Sequence, residues 1–371
     1  MIDLRLNRPA SPAYRAPERI AIVRALPGVG DLLCSVPAWR ALRHAFPDAH
    51  ITLIGLPWAE SFAARFRCYL DDFLEFPGYP GIPERPVAAR EFPGWLAAAQ
   101  AREFDLAIQM QGNGSYINEF TVLLGARRAA GFYLPGLYCP DADHFLPYPD
   151  SGSEIIRQLR LLAFLGVPPQ GTHLEFPLQK DDWDVLAAIA AARDLPAGGY
   201  VCVHPGARAA GRRWEPVQFA RVADGLARYG FSVVLTGSAD EKALTAAVAA
   251  AMRHRALDLA GQTDLGALAA LLRGARLLVS NDTGVSHLAA ALRLPSVVIF
   301  TGSDPDRWAP LDHARHRVVI ASTVDDSGVP LALGGRSTTV APAPALNAAA
   351  LPDAVLREAA GLLERKPEYA A

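Results

Sequence analysis

Three short stretches concentrate residues whose types and spacing suit the binding of an anion or the transfer of a proton. In "SNDTGVSHLAAALRLP", Asp282, Thr283, Gly284 and His287 stand where an apolar, strand-like run gives way to an Ala/Leu-rich helical one. A helix beginning at Thr283 or Gly284 presents unbonded N–H groups and its positive dipole end to an anion. Thr283 adds a hydroxyl, Gly284 leaves room for the ligand, and His287 follows one turn on, on the same side. Alone, the same residues read as a helix start over a buried histidine. The second stretch, "HPGARAAGRRWEP", sets His204, Gly206, Arg208, Arg212, Arg213 and Trp214 after another apolar run. Its glycines permit close backbone approach, and the planar fork of Arg pairs with two anion oxygens at once. The competing reading is an exposed basic loop.

The third stretch, "ALPGVGDLLCSVP", sets Gly28, Gly30 and Asp31 before a helical run. Asp31 either caps that helix or aims a carboxylate into a cleft as a general base, its ionised form favoured by the helix N-terminus. The glycines approach a dinucleotide fingerprint, but Leu33 replaces the third one. The next strand, ending "IGLPW", lacks an acid for a ribose, which argues against NAD. In "LTGSADEK", Glu241 either accepts hydrogen bonds from a ribose or complements a helix dipole. No G-x-x-x-x-G-K-[ST] occurs.

These loops need a scaffold, and the pattern between them supplies one. "RIAIVRAL", "AHITLIGL" and "FDLAIQM" are short apolar strands spaced by helical segments such as "DLLCSVPAWRALRHAF". The rhythm restarts after "HLEFPLQKDD" with "GYVCV", "FSVVLTGS", "RLLVS" and "PSVVIF", alternating with "EPVQFARVADGLARYG", "ADEKALTAAVAAAM" and "LGALAALLRGA". Apolar strands alternating with helices indicate parallel sheets covered on both faces. The expected organisation is a first α/β domain over 1–178, a second over 179–345, and a C-terminal helix in 346–371 packing back on the first domain or on the second. The Pro/Gly-rich stretches 73–93 and 133–152 are too long for turns and read as functional loops or lids. The segment 321–350 is rich in Gly, Pro and Ala.

Composition narrows the partners. At 371 residues, 51% hydrophobic and 20% charged, with a formal net charge of −2, the chain carries no global signal for nucleic acid. Cys34, Cys68, Cys139 and Cys202 lack metal-ligand spacing and read as reduced, mostly buried thiols. The N-terminal segment has no apolar run before Ile20, and no stretch is long and apolar enough to span a membrane. A cytoplasmic protein is expected, one with at most peripheral membrane contact.

The stretch "GVGDLLCSVPAWRALRHAFP", then "HPGARAAGRRW", then "LAGQTDLGALAALLRGARLLVSNDTGVSHLAAALRLPSVVIF" resemble, in order and approximate spacing, the signatures of the family 9 glycosyltransferases, the heptosyltransferase-like group. The D-T-G-x-x-H motif is the most specific part. The resemblance implies the GT-B fold, two Rossmann-like doubly wound α/β domains facing across a cleft. It implies inverting, metal-independent sugar transfer without a cofactor. The donor, a nucleotide sugar and usually ADP-heptose, would bind the second domain; a saccharide or glycolipid acceptor such as lipopolysaccharide core would bind the first.

Carried over residue by residue, Asp31, preceded by Gly30, matches the family's proposed base. Arg212 matches the basic residue before "x-W", and Glu241 matches a ribose-contacting acid. Asp282, Thr283, Gly284 and His287 match the nucleotide-diphosphate loop, while His204, Gly206 and Arg208 fall in the second signature. "TGSDPDRWAPLDHARH" departs from the family pattern and leaves Arg307, Trp308 and His313 unassigned. Two rivals share the fold: a nucleotide-sugar epimerase, and a non-catalytic nucleotide-sugar-binding protein.

Overall fold

A computed structural model describes residues 16–321 and 351–364. The chain divides into two compact units between Thr172 and His173, a few residues before the expected boundary. The first unit holds a six-stranded sheet of β1 (Arg19–Val23), β2 (His50–Gly55), β3 (Asp72–Glu75), β4 (Leu106–Gln109), β5 (Arg128–Tyr133) and β6 (Phe145–Pro147). Every pairing is parallel, and the spatial order is 3-2-1-4-5-6. The second sheet contains β7 (Tyr200–His204), β8 (Ser232–Leu235), β9 (Ala256–Asp258), β10 (Leu278–Asn281), β11 (Ser296–Phe300) and β12 (His316–Ile320). Its order, β9-β8-β7-β10-β11-β12, repeats the first, again all parallel. Central strands with helices on both faces must be apolar on both sides. Accordingly Ile20, Ala21, Ile22 and Val23 are all fully buried, as are Val201, Cys202 and Val203.

The single helix expected over 31–46 is two, Val29–Leu33 and Val36–Ala45. Pro37, in the first turn of the second helix, has no N–H to continue the first, and its ring crowds the carbonyl four residues back. The longer helix buries Trp39, which meets Phe62 and Phe66 edge-on at 6.3 and 5.8 Å.

The stretch 73–93 begins as a strand and continues as an irregular segment anchored at its start. Residues 73–75 complete β3, Phe76 is fully buried, and Tyr79 meets Phe120 edge-on at 5.6 Å. The Trp95 indole N–H donates to the Glu75 carbonyl at 2.9 Å and closes this aromatic cover. Within 133–152, residues 145–147 form the edge strand β6.

Of the two alternatives left open by the sequence, the helix Leu351–Leu363 takes the second: it belongs to the second unit. Leu351, Val355, Ala359 and Leu362 join the core made by β7, β8, β10 and β11 with helix Pro216–Arg228. The missing side chain of Gly225 admits Leu356, and Arg276 Nη2 donates to the Leu363 carbonyl at 2.8 Å, closing the helix end. The segment 322–350 lies outside the described residues. Cys34 and Cys202 are buried, whereas Cys68 is exposed and Cys139 half-buried; all four are free thiols. Among the described residues no helix is long and apolar enough to cross a membrane.

Candidate active site

In an open parallel sheet, ligands bind beyond the carboxyl ends of the strands where the order reverses. In the first unit those strands are β1 and β4; in the second they are β7 and β10. All three stretches singled out for chemistry follow β1, β7 or β10.

After β1 the chain turns through Gly28 into the short helix Val29–Leu33, with Asp31 half-buried in its first turn. A Cβ on Gly28 would collide with Oδ2 of Asp31, so glycine here keeps open the space the carboxylate occupies. Asp31 does not fill the cap position: that is Gly28, which makes no side-chain capping bond. The Asp31 backbone carbonyl accepts from Arg24 Nε at 2.9 Å, from Arg24 Nη2 at 2.7 Å and from Ser35 Oγ at 3.2 Å. Gly30 is buried.

After β7 the loop 205–214 is stapled at both ends by one side chain. Asn281, fully buried at the end of β10, accepts from the Trp214 N–H at 3.1 Å and donates to the Pro205 carbonyl at 2.7 Å. Arg213 Nε ties the loop to itself through the Ala207 carbonyl at 2.7 Å, and Thr301 Oγ1 donates to the Gly211 carbonyl at 3.1 Å. Arg208 remains exposed. Arg212 reaches back with Nη1 3.8 Å from Oδ2 of Asp282, which is buried and accepts from Ser303 Oγ.

Thr283 then sits at the cap position of helix Gly284–Ala291 with extended backbone and no side-chain capping bond. Its carbonyl accepts from Ser286 N–H at 3.0 Å and Ser286 Oγ at 2.7 Å, so the turn is held by Ser286. His287 is buried, with its ring edge-on to Trp308 at 6.2 Å. Trp308, left without a role by the sequence, thus packs against the D-T-G-x-x-H stretch; His313 is exposed.

His204 ends β7 and is buried, its Nδ1 sharing a hydrogen bond with Thr236 Oγ1 at 3.0 Å. Burial lowers its pKa, and the neighbouring Glu241 only partly opposes this. The ring is therefore neutral near pH 7, and its 3.9 Å approach to Glu241 Oε2 is a contact between an imidazole and a carboxylate. Glu241 accepts from the Ser238 N–H at 2.9 Å in a capping box. Its carboxyl group occupies the space a Cβ on Gly206 would take. Among the described residues no three His, Cys, Asp or Glu side chains form a group able to hold a metal ion.

The family model of glycosyltransferase family 9 (heptosyltransferase) matches residues 98–325. The chain belongs to glycosyltransferase family 9. Lipopolysaccharide heptosyltransferase 1 of Pseudomonas aeruginosa is 32% identical to this family 9 chain over 309 residues, 77% of this chain and 79% of that protein. Among solved structures, the family 9 glycosyl transferase of Veillonella parvula superposes with a TM-score of 0.74 at 18% identity, covering 93% of this chain and 97% of that one. The ADP-heptose lps heptosyltransferase II of E. coli superposes with a TM-score of 0.68 at 21% identity, covering 93% and 98%. The family 9 protein is thus a glycosyltransferase with the GT-B fold.

Sequence reasoning about this family 9 member passed over Arg24, Asn281 and Ser303. Asn281 had one available signal: it is a polar residue inside an apolar strand, directly beside the D-T-G motif. Arg24 likewise interrupts "RIAIVRAL". A buried polar residue in such a run must be paired, and here the partners are loop backbones.

Proposed function

We propose that this glycosyltransferase moves a heptose-like sugar, with inversion, from an ADP-linked donor to a saccharide acceptor of the lipopolysaccharide-core type, without a metal ion. The reading rests on one observation above all: Asn281 holds loop 205–214 beside the start of helix Gly284–Ala291, so Arg212, Thr283 and first-turn N–H groups gather at one switch point. A guanidinium, a hydroxyl and a helix N-terminus together match a diphosphate. The names of the similar proteins support ADP-heptose and lipopolysaccharide as donor and acceptor classes.

In this reading Asp31 takes the proton from an acceptor hydroxyl. That oxygen bonds to the anomeric carbon while the bond from carbon to the diphosphate oxygen breaks, and ADP departs with the electron pair. Arg212, Thr283 and the helix N–H groups offset the charge growing on the leaving diphosphate. Glu241 has a second oxygen for a ribose hydroxyl, while Gly206 and Gly284 let the backbone approach the donor. His204, Arg208, Asp282 and His287 complete the donor wall. Work on a glycolipid acceptor sets the enzyme at the inner face of the inner membrane by peripheral contact.

Thermal-shift titration with ADP, UDP, GDP and CDP tests the donor class; selective stabilisation by ADP, lost in Thr283→Ala, is expected. Asp31→Ala should abolish turnover of ADP-heptose with heptose-deficient lipopolysaccharide while leaving ADP affinity unchanged. A wild-type rate in that variant overturns the base assignment. Turnover that EDTA abolishes and Mg²⁺ restores overturns the metal-free account.

A further inference from the structure

The helix that carries Asp31 spans only Val29–Leu33, too few residues to hold its own geometry. Its anchor is Arg24, the residue after β1, which is fully buried. The Arg24 fork donates from Nε and Nη2 to the Asp31 carbonyl at 2.9 and 2.7 Å, and from Nη1 to the Met110 carbonyl. Met110 follows β4, so one planar side chain ties together the loops beyond both switch strands of the first unit.

Behind Arg24 lies Glu154, at the start of helix Glu154–Phe164. Its carboxylate pairs with Arg24 Nη2 at 3.4 Å and with Arg157, and accepts from Gln158 Nε2 at 2.8 Å. Arg157 is itself buried and lies 4.5 Å from the centre of the Tyr148 ring. Burying two guanidinium groups on one carboxylate is a costly way to fill space, since apolar residues of similar volume often do as well. What apolar filler lacks is a rigid fork aimed at two backbone carbonyls in different loops.

We propose that Arg24, held by Glu154, is a positioning residue that fixes the Asp31 carboxylate for proton transfer. This rests on the reading of Asp31 as the base. The bond falls on the backbone of the residue whose side chain does the chemistry, and Gly28 clears the space beside that side chain. Misplacing a reacting group by about 1 Å costs on the order of 100-fold in rate. Lysine keeps the charge but is a point donor, and cannot serve both carbonyls and Glu154 in one plane.

The experiment compares wild type, Arg24→Lys, Asp31→Asn and the double variant, with ADP-heptose and heptose-deficient lipopolysaccharide as substrates. Arg24→Lys is expected to lower kcat about 10- to 100-fold, with KM for ADP-heptose and ADP affinity within about twofold of wild type. Because Arg24 acts through Asp31, the same change should lower the residual rate of Asp31→Asn no further, a coupling that a merely structural role would not produce. Wild-type kcat in Arg24→Lys, or an equal fold-loss in both backgrounds, overturns the inference. A wild-type rate in Asp31→Asn overturns the base reading instead. If Arg24→Lys does not fold, Glu154→Gln decides by the same cycle: it keeps the shape but loosens the hold on Arg24, and coupling to Asp31 is again required.

Discussion

Arg212 keeps 41% of its side chain exposed while standing 3.8 Å from a carboxylate that is 3% exposed. Such a half-exposed pair contributes little to stability, about 1 kcal/mol or less. Its guanidinium can therefore turn to an incoming diphosphate without unravelling the loop, which Asn281 holds independently. Arg212→Ala should weaken ADP binding by about 1.5–3 kcal/mol, the value of a charge-assisted hydrogen bond, while leaving the melting temperature nearly unchanged. Calorimetry that finds equal affinity would reduce this arginine to surface decoration. Glu241 is the instructive contrast. One of its oxygens is already committed to the Ser238 N–H, so the proposed ribose contact would share a carboxylate that also shapes the turn.

At the scale of elements, the Glu241 carboxyl group from the turn 238–241 lies where a side chain on Gly206 would begin, so an alanine there must displace it from its bond to the Ser238 N–H. Gly206→Ala should destabilise the second unit by about 1 kcal/mol, the net value of the hydrogen bond that the displaced carboxyl group gives up. The double variant Gly206→Ala/Glu241→Ala should be no less stable than Glu241→Ala alone in chemical denaturation, because the clashing carboxyl group is gone. A further loss would mean the alanine strains the backbone instead. The helix Leu351–Leu363 makes a different commitment, to the core. Leu362 is 2% exposed among the apolar residues of the second sheet. Truncating it to alanine should cost about 2–5 kcal/mol, read as a lower urea midpoint; a loss within error would show that this helix is not part of the folded core.

For the whole molecule, acid stability turns on buried groups that cannot charge in place. His316 is 2% exposed, with Nδ1 2.8 Å from Ser296 Oγ. Burial pushes its pKa down from 6.5 to about 4, against the pull of Asp312. Between those values the unfolded chain binds a proton that the fold does not, so stability rises with pH across this window and falls on acidification from about 6.5 to 4. The shift corresponds to about 3 kcal/mol. His316→Gln should flatten the stability profile over this range, and an unchanged slope would assign the acid loss to other groups. Asp224 acts lower down. Burial raises its pKa, but the N–H groups of Arg253 and His254 outweigh that and lower it, so its contribution is lost only in stronger acid.

The sequence by itself determined the two α/β halves, because strand and helix periodicity are local properties of the chain. It also determined that Asp31, Arg212 and Thr283 follow strands, because a glycine turn or helix start must lie where an apolar run ends. What only the tertiary structure decided depends on partners far along the chain. The break of helix 31–46 at Pro37 is not of this kind, since a proline's clash with the preceding turn is local. The stretch 73–93 became an aromatic cover because Phe120, distant in sequence, completes its cluster. The final helix joined the second unit because Gly225 and the apolar sheet face left a groove for Leu356 and Val355. Arg24 and Asn281 acquire a role only once the fold brings loop carbonyls to them. A side chain's periodicity can be read along the chain, but hydrogen-bond partners dozens of residues apart are chosen by sheet order alone.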